Sequence, residues 1–530
     1  MRLYEVLREE TARHPNQLLR GGNEAIPVRE LFAQAEALGR TLTEAKYGIL
    51  CEAGLNGARA LLACLYAGKT AVPLSLRYGE KHIGKIIGLT GLTHLLRDDG
   101  VSREGEPCPE EEELGDVALI LCTSGTTGAP KGAMLTEDGL LANLRDIRRY
   151  FAIGEEDRLL IARPLYHCAV LVGEFLLSLL TGTEIVFDDG EFNPARILER
   201  VREDRITVMG GTPTLFYHMA GMIRPKSEPV PLKTLAISGE CMTPAAAAKI
   251  RSGFPTARIY HVYGLTEAGP RVSYLPPEEF DAHPNSVGIP LESVEADVRD
   301  GELLVRSPAM MKGYYRNPEL TEQVLRDGWL HTGDMAARDE RGFFIIKGRR
   351  DDLIIRAGMN IYPQEIENAL QADERIREAL AYGGKGTVGQ HLHLTVVPEG
   401  ALKKSEVLSI CRERLPSYQI PDEVELAESL PRNGSGKLLR PRGTAEPPPF
   451  EKEVRELVAK ALELPSTEGI EVGEDLEASG LDSLNFITLV ILCEERFGVE
   501  VPMEKLGLSY IRSIRDVCQL VKELTEQGQE

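Results

Sequence analysis

A loop rich in glycine and hydroxyl side chains is the feature that most constrains this sequence. It runs Thr123-Ser-Gly-Thr-Thr-Gly-Ala-Pro-Lys-Gly132 and follows the apolar run Val117-Ala-Leu-Ile-Leu121, which is typical of a buried strand. Its three glycines let backbone N–H groups approach an anion, and its four hydroxyl groups and Lys131 add donors and a positive charge. The loop predicts a phosphate site at a strand end. A flexible surface loop is the alternative, against which the preceding strand and Lys131 argue.

Bulk properties exclude several classes of protein. A chain of 530 residues is too long for one core and should divide into domains. The net charge of −21 argues against nucleic-acid binding, which needs a surplus of Lys and Arg. Nine cysteines without a CxxC pair indicate reduced thiols and neither a disulfide frame nor a zinc site. The most apolar stretch, Ala169 to Leu180, contains Glu174 and is too short to span a bilayer, so a buried element, no membrane partner and a cytoplasmic protein are expected.

Changes in composition and hydrophobic pattern along the sequence predict an α/β large N-terminal core plus a small α+β C-terminal subdomain, followed by an all-α four-helix bundle. Strand-like and amphipathic helical runs alternate in the first part, and stacked prolines from Pro441 to Pro449 indicate an extended linker. The predicted segments are a large subdomain at 1–350, a small mobile subdomain at 351–442, a linker at 443–450 and a helical domain at 451–530. The last segment is acidic, with 18 acidic and 8 basic residues.

Individual elements can also be predicted from the periodicity. The N-terminal part is expected to contain a helix from Glu137 to Phe151 capped by Thr136, a helix from Pro194 to Asp204 and a strand from Ile206 to Met209. In the last 80 residues the expected helices are Glu451 to Leu464, Ser483 to Phe497, Ser513 to Thr525 and a short one near Met503. Leu484, Ile487 and Ile491 are expected to pack inward from the second of these helices.

Seven motifs in a fixed order carry a family resemblance. After the phosphate loop they are Pro164-Leu-Tyr-His-Cys168, Ser238-Gly-Glu240, Tyr263-Gly-Leu-Thr-Glu267, Ser286-Val-Gly288, Trp329-Leu-His-Thr-Gly-Asp334, Gly348-Arg-Arg-Asp351 and Pro431-Arg-Asn-Gly-Ser-Gly-Lys437. Together they resemble the acyl-adenylate-forming superfamily of acyl-CoA synthetases, luciferases and adenylation domains of nonribosomal peptide synthetases. The resemblance covers about residues 20 to 440. It implies ATP and Mg²⁺ as cofactors and a small carboxylic acid as substrate.

The resemblance also implies roles for residues. Glu267 would hold Mg²⁺, Thr266 would bond the α-phosphate or the substrate carboxylate, and Lys437 would lie between these two groups. The expected nucleotide-binding residues are Thr123, Ser124, Gly125, Thr126, Thr127, Gly128, Lys131, Ser238, Gly239, Glu240, Tyr263, Asp334 and Arg349. Three of these site residues have an ordinary alternative: Asp334 as a turn aspartate, Glu267 as a surface helix residue and Lys437 as a solvated loop lysine.

Three further residues take roles from the resemblance. Asp351 falls at the hinge about which the C-terminal subdomain swings between two poses. One pose brings in Lys437, and the other brings Arg356-Ala-Gly-Met-Asn360 to the site, where Gly358 leaves room for an incoming thiol arm. His167 would flank the acyl tunnel and gate it, with a core histidine as the alternative.

The string Gly480-Leu-Asp-Ser-Leu484 resembles the 4'-phosphopantetheine attachment site of acyl and peptidyl carrier proteins, with Ser483 as acceptor. The positive end of the following helix favours the added phosphate. The alternative is a serine that only caps the helix. A carrier implies a phosphopantetheinyl transferase and, downstream, a condensing or acyl-transferring enzyme that acts in trans.

The sequence therefore predicts an enzyme that activates an acid and loads its own carrier domain, as a starting unit of nonribosomal peptide or polyketide biosynthesis. An acyl-CoA synthetase with an appended carrier, an amino-acid-activating didomain and a catalytically silent scaffold are the alternatives. Adenylation domains for α-amino acids commonly place an Asp in the stretch that corresponds to Leu165–Phe175, and since this sequence has none there, the resemblance favours an aryl or aliphatic acid. Arg271 is expected to be exposed, with contact to a polar substituent of the acid as the alternative.

Overall fold

A computed structural model provides the coordinates. It describes residues 2–22, 24–50, 54–75, 80–98, 100–103, 114–124, 130–188, 190, 193–224, 228–356, 359–385, 390–432, 438, 440, 450–462, 464, 476, 481, 483–499, 501 and 513–527. They belong to two compact units, one of residues 1–381 with 393–440 and one of residues 382–392 with 441–530. Over these described ranges no helix has both the length and the apolar character needed to cross a membrane.

The strands lie mainly in the first unit. In chain order they are β1 (Leu18–Gly21), β2 (Glu24–Pro27), β3 (Lys46–Leu50), β4 (Thr70–Leu74), β5 (His94–Arg97), β6 (Gly100–Arg103), β7 (Val117–Ser124), β8 (Pro130–Thr136), β9 (Arg158–Ile161), β10 (Glu184–Phe187), β11 (Val208–Gly211), β12 (Thr234–Ile237), β13 (Arg258–Gly264), β14 (Arg271–Leu275), β15 (Ile289–Pro290), β16 (Glu295–Arg299), β17 (Glu302–Arg306), β18 (Gly313–Tyr314), β19 (Leu325–Arg326), β20 (Trp329–Arg338), β21 (Phe344–Arg349), β22 (Ile354–Arg356), β23 (Met359–Ile361), β24 (Ile376–Lys385), β25 (Gln390–Pro398) and β26 (Glu423–Leu426).

The helices alternate with these strands and then form the C-terminal segment. They are α1 (Leu3–Ala12), α2 (Val28–Gly39), α3 (Leu55–Ala67), α4 (Glu80–Thr90), α5 (Glu137–Tyr150), α6 (Cys168–Val170), α7 (Leu177–Thr181), α8 (Pro194–Glu203), α9 (Pro213–Met222), α10 (Pro244–Gly253), α11 (Pro318–Val324), α12 (Pro363–Gln371), α13 (Lys404–Arg414), α14 (Glu451–Ala461), α15 (Ser483–Phe497) and α16 (Ile514–Gln527). A π-helical turn, Leu171–Leu176, joins α6 to α7.

Two large sheets build the N-terminal core. A nine-stranded sheet has the order β15-β14-β13-β12-β11-β9-β10-β1-β2, and a seven-stranded sheet has the order β18-β8-β7-β4-β3-β5-β6. In the first sheet β10, β9, β11, β12 and β13 are parallel neighbours. A smaller sheet holds β16, β17, β19, β20 and β21, and the part after it carries the pair β22-β23 and the three strands β24-β25-β26. The predicted α/β core with a small α+β subdomain is confirmed.

Local sequence explains several of these elements. The predicted cap of α5 is present, because the Thr136 hydroxyl accepts a hydrogen bond from the Gly139 N–H at 3.1 Å. The apolar run 169–180 is buried as expected, and Glu174 is only 3 % exposed within it. The predicted strand Ile206–Met209 is displaced, because pairing with the neighbouring strands begins at Val208.

The second unit contains α14, α15 and α16, which pack around one apolar cluster that includes Val458, Phe486 and Val517. The predicted short helix near Met503 and the linker from Pro441 to Pro449 lie outside the described residues. The expectation that Ile487 and Ile491 pack inward is wrong, since they are 56 % and 48 % exposed. The stripe with Phe486, Leu489, Val490 and Cys493 faces the core instead.

Candidate active site

Several of the predicted motifs lie at the carboxyl edge of the nine-stranded sheet. Ser238 to Glu240 follow β12, and Tyr263 lies near the end of β13. Because β9, β11, β12 and β13 are parallel, these ends lie at the same edge, where open α/β sheets bind ligands. At this edge Gly239 has a φ of +94°, a backbone conformation that a residue with a Cβ rarely adopts.

A tyrosine connects two predicted site residues from different sheets. The Tyr314 hydroxyl donates to Glu267 Oε1 at 2.6 Å and accepts from Lys131 Nζ at 2.9 Å. Lys131 Nζ itself lies 3.7 Å from the same carboxylate oxygen. Burial and the Glu267 charge raise the pKa of Tyr314, so this phenol stays protonated and donates to the carboxylate. Thr266 opens the short turn that carries Glu267.

Sequence reasoning gave no role to Tyr314. It reaches the cluster because β18 pairs with β8 antiparallel, with Tyr314 opposite Ala133, two residues from Lys131. Gly313-Tyr314-Tyr315 contains no chemical signature of its own. Only the strand pairing could have identified it.

If Glu267 holds Mg²⁺ as the family resemblance implies, Tyr314→Phe should raise the KM for MgATP about 10- to 100-fold, the usual effect of removing a group that orients a metal-binding carboxylate. The measurement is ATP–pyrophosphate exchange at varied MgATP, with thermal unfolding measured alongside. Tyr315→Phe is the matched control, because the Tyr315 hydroxyl contacts Lys46 Nζ at 3.3 Å and not Glu267. An unchanged KM in Tyr314→Phe would show that the phenol does not orient Glu267.

A second cluster surrounds Asp334. Its Oδ2 accepts from the Tyr263 hydroxyl at 2.5 Å, and its Oδ1 accepts from Arg349 Nη1 at 2.9 Å. Arg349 lies directly opposite Asp334 in the β20–β21 ladder. Burial and the Asp334 charge raise the pKa of Tyr263 well above its usual value. Asp334 lies inside a strand and is 8 % exposed, so the alternative of a turn aspartate does not hold.

A cleft of about 1070 Å³ lies beside this second cluster. Gly239, Glu240, Tyr263, Asp334 and Arg349 line it, and these are five of the predicted nucleotide-binding residues. Its volume suits an organic ligand, since ligand pockets commonly measure about 300–1,000 Å³.

The C-terminal part of the first unit closes one side of this cleft. Arg432 and Leu438 both line it. Arg432 Nη1 lies 3.4 Å from Glu240 Oε1, and its Nη2 donates to Glu378 Oε1 at 2.6 Å. Glu240 also accepts from the Thr214 hydroxyl at 2.6 Å. The two ends of the segment that contains Lys437 therefore lie at the wall of the cleft.

Comparison with known families decides the identity. The sequence matches the AMP-binding enzyme family over residues 7–315. The chain belongs to this family. The C-terminal domain of AMP-binding enzymes matches residues 365–437, and a phosphopantetheine attachment site matches residues 452–521. The suspected superfamily and the carrier are thus confirmed, and the protein is an adenylate-forming ligase.

Relatives of this AMP-binding enzyme include CoA ligases. A feruloyl-CoA synthase from Amycolatopsis sp is 33% identical over 72% of this chain and 84% of that protein. The o-succinylbenzoate CoA synthetase of Bacillus subtilis with its acyl-adenylate intermediate is 26% identical, with a TM-score of 0.72 over 82% of this chain and 96% of that one. The same synthetase in complex with ATP and magnesium ion is 27% identical, with a TM-score of 0.71 over 82% and 98%.

The structure of this AMP-binding enzyme does not describe every predicted site residue. Gly125, Thr126, Thr127, Gly128, Gly358 and Lys437 lie outside the described residues, as do the side chains of Thr123, Ser124 and Ser483. Their roles stay predictions. The backbone of Ser483 is the first residue of α15, as predicted. Asp351 lies exposed in a short turn, Arg350–Asp352, between β21 and β22.

The remaining predicted residues are His167 and Arg271. Burial and the charge of Arg163 lower the pKa of His167 to about 3, so its imidazole is neutral near pH 7. The expectation of an exposed Arg271 is wrong, because the residue is 3 % exposed and donates to the Tyr150 hydroxyl at 2.7 Å. Gly173 leaves room for its guanidinium, since a Cβ at that position would lie 2.9 Å from Arg271 Nη2.

The donor set of this AMP-binding enzyme fits a nucleotide–magnesium complex better than a metal bound by protein ligands alone. Among the described residues no group of three or more His, Cys, Asp or Glu could hold a metal ion. A single carboxylate such as Glu267 suits Mg²⁺, which takes one or two carboxylates together with phosphate oxygens. The Asp334 carboxylate keeps lone pairs beyond those used by Tyr263 and Arg349 and can accept from ribose hydroxyls as well.

Proposed function

We propose that the protein uses ATP and Mg²⁺ to convert a carboxylic acid into an acyl-adenylate and then transfers the acyl group to the phosphopantetheine thiol of its own carrier segment. One observation carries the proposal. A cleft lined by Tyr263, Asp334 and Arg349 lies in a chain that also has a phosphopantetheine attachment site. The acyl-adenylate complex of the B. subtilis relative supports the first step.

In the first step, a carboxylate oxygen of the acid attacks the α-phosphorus of ATP, and pyrophosphate leaves with the bonding electrons. Asp334 would accept from the ribose hydroxyls, while Ser238, Gly239 and Glu240 would border the adenine. Lys131 would pair with the phosphates, and Thr266 with the α-phosphate or the acid. When bound at Glu267, Mg²⁺ would neutralise phosphate charge. Positioning and electrostatics of this kind provide most of the acceleration in phosphoryl chemistry.

In the second step, the carrier thiolate attacks the acyl carbonyl carbon and AMP leaves. We infer that the C-terminal part of the first unit rotates about Asp351 between the steps, which withdraws Lys437 and places Gly358 beside the thiol arm. The pantetheine arm would be attached to Ser483 by a phosphopantetheinyl transferase. A condensing or acyl-transferring enzyme would then collect the acyl group, as in a loading unit of nonribosomal peptide or polyketide biosynthesis.

An aryl or aliphatic acid is the favoured substrate. The stretch Leu165 to Phe175 has no Asp to pair with an amino group, and the relatives include a feruloyl-CoA synthase and an o-succinylbenzoate CoA synthetase, both named for aryl substrates. These names also favour a second candidate function, in which free CoA is the thiol acceptor. The attachment site at residues 452–521 favours the tethered carrier, because free CoA needs none.

The full-length chain, carrying its pantetheine arm, is expected to exchange pyrophosphate into ATP with at least one acid from a panel of aryl, fatty and amino acids. Intact-protein mass spectrometry should then show the same acid on the carrier. Exchange without an acyl mass but with acyl-CoA formation would establish the CoA ligase instead. No exchange with any acid would reject the proposed function.

A further inference from the structure

A buried ion pair lies at the carboxyl edge of the nine-stranded sheet and has no part in the proposed reaction. Arg163 Nη2 lies 2.5 Å from Glu174 Oε1, and the two side chains are 9% and 3% exposed. Arg163 lies two residues beyond β9, and Glu174 lies in the π-helical turn Leu171–Leu176. Turns of this type occur frequently at functional sites. A buried pair is costly unless its remaining donors and acceptors are also satisfied.

Arg163, Glu174 and the nearby His167 form a polar cluster in which three buried atoms lack a hydrogen-bond partner among the described residues. Arg163 Nε, Glu174 Oε2 and His167 Nε2 are buried, and no hydrogen-bond partner for them exists in the part of the chain that the structure describes. Native proteins leave few buried polar atoms in that state, and each calls for an explanation. The cluster offers a donor on Arg163, an acceptor on Glu174 and a neutral imidazole nitrogen on His167.

A glycine makes room for the pair. A Cβ on Gly210 would lie 2.1 Å from Glu174 Oε1 and 3.1 Å from Arg163 Nη2. Gly210 belongs to β11, which lies between β9 and β12 in the sheet. Because neighbouring strands are about 4.8 Å apart, the cluster lies roughly one or two strand spacings from Ser238 at the end of β12.

The cluster is also connected to the metal-binding side of the site. Cys168 follows His167, and burial together with the charge of Glu267 raises the pKa of the Cys168 thiol. The two ends of the segment 163–174 meet in the ion pair, and its middle, at Cys168, lies in the vicinity of Glu267. An acid whose carboxyl group lies near Glu267 would direct its other end along this segment.

We propose that Arg163, Glu174 and His167 form the distal wall of the acyl site and bind a hydroxyl group of the substrate, so that the substrate is a hydroxylated carboxylic acid. This inference rests on the proposed function. A hydroxyl oxygen accepts from Arg163 Nε–H while its proton is donated to Glu174 Oε2, and both unsatisfied atoms are paired. A second carboxylate would face the Glu174 charge, and an ammonium group would face the Arg163 charge. A methyl group would leave both atoms unpaired.

Pyrophosphate exchange with matched acids tests this assignment. The probes are benzoate, cinnamate and octanoate series, each with hydrogen, hydroxyl, methyl, amino or carboxyl at the same position. The best hydroxylated acid should exceed its methyl counterpart at least about 100-fold in kcat/KM, because sites built to bond a hydroxyl strongly reject analogues without it.

A charge-neutral variant tests the residues. Arg163→Met/Glu174→Leu removes both charges together and should lower the hydroxyl-to-methyl ratio at least about tenfold while exchange with the unsubstituted acid persists. Arg196→Met/Asp188→Leu is the matched control, since this pair lies at the end of β10 with two contacts of 2.7 Å. The control should keep the ratio of the unmodified chain. If circular dichroism shows that the first variant does not fold, Gly210→Ala, which crowds the same ion pair, should lower the ratio instead.

The outcomes separate this inference from the proposed function. Exchange with equal preference for hydroxyl and methyl acids, or a preference for the carboxyl or amino acids, would overturn the hydroxyl assignment and leave the adenylation proposal intact. A ratio unchanged in a folded double variant would remove Arg163 and Glu174 from substrate recognition. No exchange with any acid would overturn both.

Discussion

Lys437→Ala is expected to slow ATP–pyrophosphate exchange at least about a hundredfold while the fold is retained. A charge-assisted contact to the reacting phosphate in a water-excluded site contributes on the order of 3 kcal/mol, which corresponds to about that factor in rate. Arg432 and Leu438, the nearest described residues on either side of Lys437, line the cleft. Exchange kinetics with the preferred acid and thermal unfolding are the two measurements.

Lys404→Ala is the matched control for this prediction. Lys404 is exposed at the start of α13, in the same C-terminal part of the first unit, and does not line the cleft. It should exchange at the rate of the unmodified chain. If Lys437→Ala matched that rate, Lys437 would have no place in the adenylation step.

Ser483→Ala should abolish covalent loading while pyrophosphate exchange is unchanged. The serine oxygen is the proposed attachment point of the arm, and alanine cannot form the phosphodiester. Because exchange uses only the first unit, its rate should be unaffected. Intact-protein mass spectrometry after incubation with a phosphopantetheinyl transferase, ATP and the preferred acid measures both the arm and the acyl group.

Thr488→Ala provides the comparison, because Thr488 is an exposed hydroxyl residue on the same helix. This variant should load fully. Retention of an acyl mass in Ser483→Ala would place the attachment point elsewhere. A loss of exchange in the same variant would mean that the substitution disturbs more than the arm.

Much of the fold follows from local sequence. The helix Ser483–Phe497 and the Thr136 cap of α5 were predictable, because a capping side chain and helical periodicity are encoded within a few residues. The strand near Ile206 was displaced to Val208–Gly211, because strand ends depend on the neighbours β9 and β12. The family resemblance carried by the motifs implied five of the residues that line the cleft, namely Gly239, Glu240, Tyr263, Asp334 and Arg349.

Side-chain partners that are distant in sequence could not be predicted. Helix α15 carries apolar residues all around, so the sequence offers two possible inward stripes, and packing against α14 and α16 buries the one with Phe486 in place of Ile487 and Ile491. Arg163 and Glu174 are not three or four residues apart, as two contacting side chains on one helix would be. They come into contact because Glu174 lies in the π-helical turn. The contact of Tyr314 with Glu267 depends on pairing between β8 and β18.

The position of Arg432 between two carboxylates has a consequence for the inferred rotation about Asp351. Glu240 follows β12, whereas Glu378 lies in β24 and would travel with Arg432. During such a rotation the guanidinium would keep Glu378 as a counter-ion, because the 2.6 Å bond to Glu378 would persist while the longer 3.4 Å contact with Glu240 broke. The Arg432–Glu240 contact would then break at low energetic cost, because Arg432 would not be left without a counter-ion. Since dissolved salt weakens partly exposed ion pairs, higher ionic strength would shift the balance toward the thiol-accepting pose.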